Sequence, residues 1–263
     1  MHIIVTVKQV PDPDIPPNHF KIDVAANRVV PPSGVAPVMN GYDANALEAA
    51  LRLKEKHGGT VTVLTIGSAE ARDTLKRAIA MGADKAVLVD EPALRDGDSV
   101  TTATALARAV EKIGEYDLVL SGRQASDTDA GQVPLGLGEL LGVPVVSPVI
   151  SIEPSGSGLR VHRMTEDGYD VLDVPLPAVI SVSSEIGEPR YPPLRGIMAA
   201  GRAQIPVWSA ADLGFDVASS QPRTTRRRLY VEERDAKVEL IQADSLTEAG
   251  AALADRLRDA KLI

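Results

Sequence analysis

Residues 60–89, TVTVLTIGSAEARDTLKRAIAMGADKAVLV, decide the fold. The run 60–66 is apolar and β-branched, and Gly67 follows it. Leu75, Ala78 and Ile79 then recur at helical spacing behind Ser68, the expected cap, until Gly82 closes the helix and 85–89 forms a second apolar run. Apolar runs without alternation belong to strands buried on both faces, which is the mark of a parallel sheet. A helix between two of them is a β-α-β unit.

The same alternation extends outward in both directions. Residues 2–8 read as a first buried strand bounded by Pro11 and Pro13. Asp43 is the expected cap of a helix marked by Leu47, Ala50, Leu51 and Lys54, with Glu48 and Arg52 as an i,i+4 pair and Gly58-Gly59 as its stop. Downstream, Asp98 opens a helix carrying Ala103, Leu106, Ala107, Val110 and Ile113, and 117–121 is a fourth strand. The pattern predicts an α/β fold with a doubly wound, mostly parallel, Rossmann-like sheet, whose ligands bind outside the carboxyl ends of the strands.

Elsewhere the pattern differs. Residues 9–40 form a Pro- and Asp-rich excursion, expected to carry a small hairpin around Phe20, Ile22 and Arg28–Val30. Beyond Gly142, the runs 160–164 and 169–174 flank the turn signal Glu166-Asp167-Gly168, and 178–182 is another apolar strand. From about Asp212 the chain becomes polar, with Arg223 and Arg226, Arg227 and Arg228. It ends in an amphipathic helix opened by Ser245 and Glu248 in S-x-x-E capping spacing. Residues 1–215 are thus expected to form one α/β domain. Residues 216–263 form an arm and helix too small to bury a core alone, and are expected to dock on another surface.

Composition removes several classes of function. The 263 residues carry 28 Lys and Arg against 36 Asp and Glu, a net charge of −8, so the overall field repels nucleic acid and anionic lipid. No cysteine is present, which eliminates disulfides, thiolate metal sites, iron–sulfur ligation and Cys nucleophiles. The four His are scattered, and aromatics are 3%, too few for base-stacking platforms. Neither an apolar span nor a secretory leader is legible, so the expected location is the cytoplasm, without membrane insertion.

The loop with most chemical potential runs from Gly122 through Arg123, Gln124, Ala125, Ser126, Asp127, Thr128, Asp129, Ala130, Gly131 and Gln132 to Val133 and Pro134, between a predicted strand and a predicted helix. Gly122 permits a tight turn or close backbone approach. The amides of Gly131, Gln132 and Val133 would form a helix start that attracts phosphate, and Pro134 suits the first helical turn. Asp127 and Asp129 would repel a phosphate unless they point away, bind ribose hydroxyls or hold a cation; Asx turns and a helix cap are the alternative reading. Gly136-Leu137-Gly138 is no dinucleotide fingerprint, because it lies inside the helix and Leu141 occupies the third glycine position. Phosphate-loop ATPase and serine-hydrolase motifs are missing. Glu166-Asp167 reads as a solvated hairpin tip, and Trp208, Met81, Met164 and Met198 as packing residues.

Six ordered blocks carry a family resemblance. They are Val7-Lys8-Gln9-Val10-Pro11-Asp12; Asn40-Gly41-Tyr42-Asp43 leading into Ala46-Leu47-Glu48; Ala78-Ile79-Ala80-Met81-Gly82-Ala83-Asp84; the loop at 122–132; Val161-His162-Arg163 through Glu166-Asp167-Gly168 to Pro177-Ala178-Val179; and Glu188-Pro189-Arg190-Tyr191 with Leu194, Ile197 and Met198. Over residues 1 to about 215 the chain resembles the electron transfer flavoprotein β subunit family, a fold of the adenine-nucleotide-binding type. The departures are Gly41 in place of the usual proline, Met164 where the respiratory branch often has glutamate, and Asp170 in place of the signature Glu or Gln.

The resemblance implies a heterodimer with an α subunit that holds the redox-active FAD. Electrons would pass from flavin dehydrogenases through flavin to an acceptor, with no bond-making catalysis by this chain. It implies a nucleotide, FAD or AMP, bound in this subunit near Thr6, Asn40, Gly41, Tyr42, Asp43, Ile66 and residues 122–133. Tyr42 would lie toward the partner's flavin. The loop wording is closer to FAD-carrying relatives and favours a second FAD. A partner-recognition segment would comprise Glu188, Pro189, Arg190, Tyr191, Leu194, Ile197 and Met198, with Leu194 inserting into a dehydrogenase pocket. The residues alone also admit a stand-alone nucleotide-binding sensor of the same architecture.

Overall fold

The computed structural model describes residues 1–16, 19–30, 32–95, 97–218, 220–232 and 238–263. Parts of the excursion (17, 18, 31) and of the arm (219, 233–237) lie outside the described residues. The strands are β1 (His2–Thr6), β2 (Gln9–Val10), β3 (Lys21–Asp23), β4 (Arg28–Val30), β5 (Val38–Met39), β6 (Thr60–Ile66), β7 (Lys85–Val89), β8 (Leu118–Gly122), β9 (Val145–Ser155), β10 (Gly158–Thr165), β11 (Gly168–Pro175), β12 (Ala178–Val182) and β13 (Val207–Trp208). The helices are α1 (Gly41–His57), α2 (Arg72–Met81), α3 (Ser99–Ile113), α4 (Val133–Leu141), α5 (Leu194–Ala200) and α6 (Leu246–Asp259).

Among the described residues, nine strands form one sheet in the order β11-β10-β9-β12-β8-β1-β6-β7-β13. From β9 to β13 every neighbouring pair is parallel, while β10 and β11 continue the β9 edge antiparallel. This is the doubly wound α/β sheet that the alternation predicts. The chain leaves β1 toward β6 and β7, then returns through α3 to β8 on the other side of β1. The direction of winding therefore reverses between β1 and β8, and at such a switch point the two flanking connections diverge and leave a crevice.

Alternate residues of each strand feed opposite cores. Ile3 and Val5 of β1 join Val61, Val63, Ala46, Leu47, Ala50, Leu75 and Ala78 under α1 and α2. Ile4 joins Leu64, Val119, Leu106, Val110 and Leu137 under α3 and α4. α4 sits close because its glycines give way: a Cβ on Gly138 would collide with Val145 Cγ2, and one on Gly136 would lie 3.2 Å from Ala103 Cβ. The Gly136-Leu137-Gly138 run is thus a helix-packing feature.

Several expectations change. β1 stops at Thr6 rather than at residue 8, because the Lys8 amide donates to a side chain instead of continuing the ladder. Ser68 makes no side-chain cap; a short 3-10 turn, Ala69–Ala71, precedes α2. Asp43 does not cap α1 either, since Asn40 holds the N-cap position and Asp43 lies in the first turn. β9 went unread because Pro148, Pro154 and its serines argue against a strand. The β3–β4 and β10–β11 hairpins, the Asp98 cap on the Thr101 amide and the Ser245 cap on the Glu248 amide are present. Met198 is 59% exposed and so is not a packing residue, whereas Met81 is buried and Trp208 packs on the α3 side.

The chain divides into two compact units, Met1–Arg227 and Arg228–Ile263. The first continues beyond residue 215, because Asp98 accepts from the Arg223 and Thr224 amides at 2.7 and 3.0 Å. The second contains α6, which has no buried residue. No helix among the described residues is long and apolar enough to cross a membrane.

Candidate nucleotide site at the switch point

Side chains at the start of α1 tie together the chain just beyond the carboxyl ends of β1 and β8. The Asn40 carboxamide grips the loop backbone twice: its Nδ2 donates to the Gln124 carbonyl (2.8 Å) and its Oδ1 accepts from the Ser126 amide (3.1 Å). Three residues on, Asp43 accepts from the Lys8 amide on Oδ2 (2.7 Å) and from the Gly122 amide on Oδ1 (3.1 Å). Thus α1 fastens the ends of both strands that flank the switch point. Thr6 and Ser121, register partners on those strands, share a hydroxyl bond of 2.7 Å.

Both Asn40 and Asp43 are buried. Burial pushes the Asp43 carboxyl up to about 7, against the lowering influence of the Lys8 and Gly122 amides, the Asn40 side chain and the Lys8 charge. Gly122 is required by close approach: a Cβ there would collide with Asp43 Oδ1 and lie 2.7 Å from Tyr42 Cβ. Its amide is taken by Asp43 and is not available to a ligand.

Beyond Gly122 the loop opens to solvent. The Arg123 guanidinium carbon lies 5.4 Å from the centre of the Tyr42 ring. Asp127 pairs with Lys8 Nζ at 2.7 Å, so its carboxylate is neutralised by the opposite wall of the crevice. The Asp129 carboxylate accepts from Gln124 Nε2 at 2.9 Å. Asp129 adopts φ +48°, a left-handed conformation that Asp tolerates, and Gly131 follows at φ +63°. Through these turns Ala130, Gly131 and Gln132 lead into Val133, where α4 starts with Pro134 in its first turn. The first-turn amides of a helix lack intrahelical acceptors. Thr128 lies on the exposed outer part of the loop. Ile66 ends β6, on the far side of β1, and Gly41 and Tyr42 open α1.

A model of the electron transfer flavoprotein domain matches residues 29–213. The chain is 39% identical to an electron transfer flavoprotein subunit beta of Thermoanaerobacterium thermosaccharolyticum, over 86% of this chain and 90% of the relative. It is 36% identical over the whole of both chains to the caffeyl-CoA reductase-Etf complex subunit CarD of Acetobacterium woodii. It is also 34% identical to protein FixA of Azorhizobium caulinodans, over 97% of this chain and 93% of the relative. The chain belongs to the electron transfer flavoprotein β subunit family. It is an electron-transfer subunit of a flavin-associated family.

The recognition segment expected of an electron transfer flavoprotein β subunit leaves the carboxyl end of β12 and is held along α1. Asn45 donates to the Gly187 carbonyl (2.8 Å) and Arg52 to that of Glu188 (3.1 Å). Arg190, just after Pro189, reaches the buried Glu48 carboxylate at 2.8 Å and also pairs with Glu55. Burial opposes ionisation of Glu48, but its bonds to Arg190 and Arg52 together hold its pKa below the usual value. After this brace the segment turns outward. Tyr191 is 90% and Leu194 75% exposed, with Ile197 and Met198 beside Leu194 on the open side of α5. The opposite side rests on α2, where a Gly196 Cβ would collide with the Ala80 carbonyl.

Motif reading did not single out the Asp43 bridge or the Glu48–Arg190 brace. Asn40 and Asp43 at i,i+3 before an apolar helix are a legible capping signal, but the acceptors and donors they serve lie 35 to 86 residues away in sequence.

Proposed function

We propose that this chain is the β subunit of a heterodimeric electron transfer flavoprotein that seats an adenine nucleotide at the β1–β8 switch point. Electrons pass from flavin dehydrogenases through the α subunit's flavin to an acceptor, and this chain makes and breaks no covalent bonds. The observation that carries the reading is the loop at 122–133: Asn40 and Lys8 hold it over the crevice, and its end presents the first-turn amides of α4. Pairing of Asp127 with Lys8 lowers the repulsion that a phosphate would meet there. The loop's resemblance to FAD-carrying relatives favours FAD over AMP, which makes the subunit a second flavin carrier rather than one holding a structural nucleotide.

Transfer between flavins calls for position and tuning rather than acids, bases or nucleophiles. The bound FAD would supply redox chemistry, while Tyr42 and Arg123 line the opening and Thr6, Asn40 and Asp43 shape its floor. The exposed set Tyr191, Leu194, Ile197 and Met198 is the proposed contact for the dehydrogenase, and residues 228–263 the contact for the α subunit.

Co-expression with the α subunit, acid release and chromatography test the reading. Two FAD per heterodimer are expected; one FAD and one AMP would retain the site but change its occupant. A nucleotide-free chain that never pairs, or a colourless homodimer saturable with ATP, would overturn it.

A further inference from the structure

Asp43 lies behind the nucleotide loop rather than within it. The residue is 6% exposed, and both carboxyl oxygens are occupied by backbone amides, those of Lys8 and Gly122. Asp43 therefore belongs to the floor under the loop and acts on a solvent-facing ligand through the backbone it holds. The two are nonetheless close. Arg123 follows the glycine that bonds Asp43, and its carbonyl oxygen is 3.7 Å from where a Gly131 Cβ would stand. An anion on the amides of Gly131, Gln132 and Val133 thus approaches the Asp43 carboxyl with the Gly122–Arg123 backbone between them.

We propose that Asp43 is a proton-linked positioning residue of the nucleotide site: it ties the ends of β1 and β8 together and takes up a proton when a nucleotide phosphate is seated in the adjoining loop. The inference rests on the nucleotide reading above and adds the coupling to pH.

The charges around Asp43 favour that sign. From the corner after β1, the Lys8 ammonium is directed to Asp127 of the loop at 2.7 Å. From the loop, the Arg123 guanidinium sits over the Tyr42 ring. The remaining bonded neighbours are neutral, namely the Asn40 side chain and the two amides. With burial already pushing the carboxyl up to about 7, a nearby phosphate anion disfavours its ionised form further. By linkage, nucleotide affinity rises as the pH falls through neutrality, and each unit of upward shift corresponds to about a tenfold gain.

The test uses the heterodimer, stripped of nucleotide in this subunit while the partner's flavin stays in place. FAD is the probe, because its pyrophosphate keeps a constant charge between pH 6 and 8; AMP is the second. Calorimetry at pH 7 in buffers of different ionisation enthalpy counts protons taken up on binding. Wild type is expected to take up roughly 0.3 to 0.5 proton more per FAD than Asp43→Asn, with affinity rising about threefold to ninefold from pH 8 to 6 in wild type only. Equal proton numbers in the two proteins would overturn the inference and leave the nucleotide reading standing. Failure of wild type to bind either probe would remove both. Should Asp43→Asn not fold, the carboxyl carbon resonance of Asp43 in wild type decides: its midpoint is expected to move up when FAD binds, and an unchanged or lowered midpoint overturns the proposal.

Discussion

Single residues in this protein act mainly by holding backbone in place. Gly122 has no room for a side chain, because the first turn of α1 and the Asp43 carboxyl already fill the space. Gly122→Ala is therefore expected to destabilise the fold by about 1–3 kcal/mol through overpacking and to lower occupancy of the proposed nucleotide site, as read by urea unfolding and nucleotide content. Glu48 presents the opposite problem, a buried carboxylate that needs its cations. Arg190→Met leaves it with Arg52 alone and is expected to cost about 3 kcal/mol. The sign with pH follows from the lowered pKa of Glu48: its contribution is complete above the unfolded carboxyl value and disappears as pH falls through the folded one. The difference between wild type and Arg190→Met should accordingly narrow in acid; a constant difference would count against the ion pair as its cause.

At the scale of elements, α3 and α4 show how a cap and a close contact set geometry. Asp98 caps α3 and also receives the amides of Arg223 and Thr224, so one carboxylate fixes a helix start and the last stretch of the first unit. These bonds, the one from Thr101 foremost, lower its pKa to about 2. Asp98→Ala is expected to lose about 1–2 kcal/mol at neutral pH, with the loss disappearing between about pH 4 and 2 as the wild-type carboxylate takes its proton. Gly138→Ala places a methyl on Val145 at the α4–β9 contact and should cost about 1–3 kcal/mol unless the helix moves. Thermal unfolding measures both. The strands β1, β6, β7, β8 and β12 and the helices α1 to α4 were legible because their apolar runs and spacings are local. β9 was not, because its prolines disguise a strand, and although β10 follows it across a two-residue turn, its parallel partner β12 comes from a segment further along the chain.

For the whole molecule, the division at Arg227 gives a direct prediction. A chain ending there is expected to unfold cooperatively, as the first unit holds both cores, yet to lose its partner subunit on size exclusion if 228–263 forms that contact. Retention of the heterodimer would shift the interface elsewhere. Several relatives at 34–39% identity and a matching domain over 29–213 show that the family was legible from its ordered blocks.

Sequence by itself determined the doubly wound class, the β3–β4 and β10–β11 hairpins and the family, and it pointed to the loop at 122–133, because hydrophobic period, turn chemistry and motif order are properties of neighbouring residues. Only the tertiary structure decided that Asp43 bridges Lys8 to Gly122 rather than capping its own helix, that Asp127 is neutralised by Lys8, and that Glu48 braces Arg190. Each of these pairs joins segments far apart along the chain, and hydrogen bonds and charges act through the distance that folding creates, not through the spacing that sequence records.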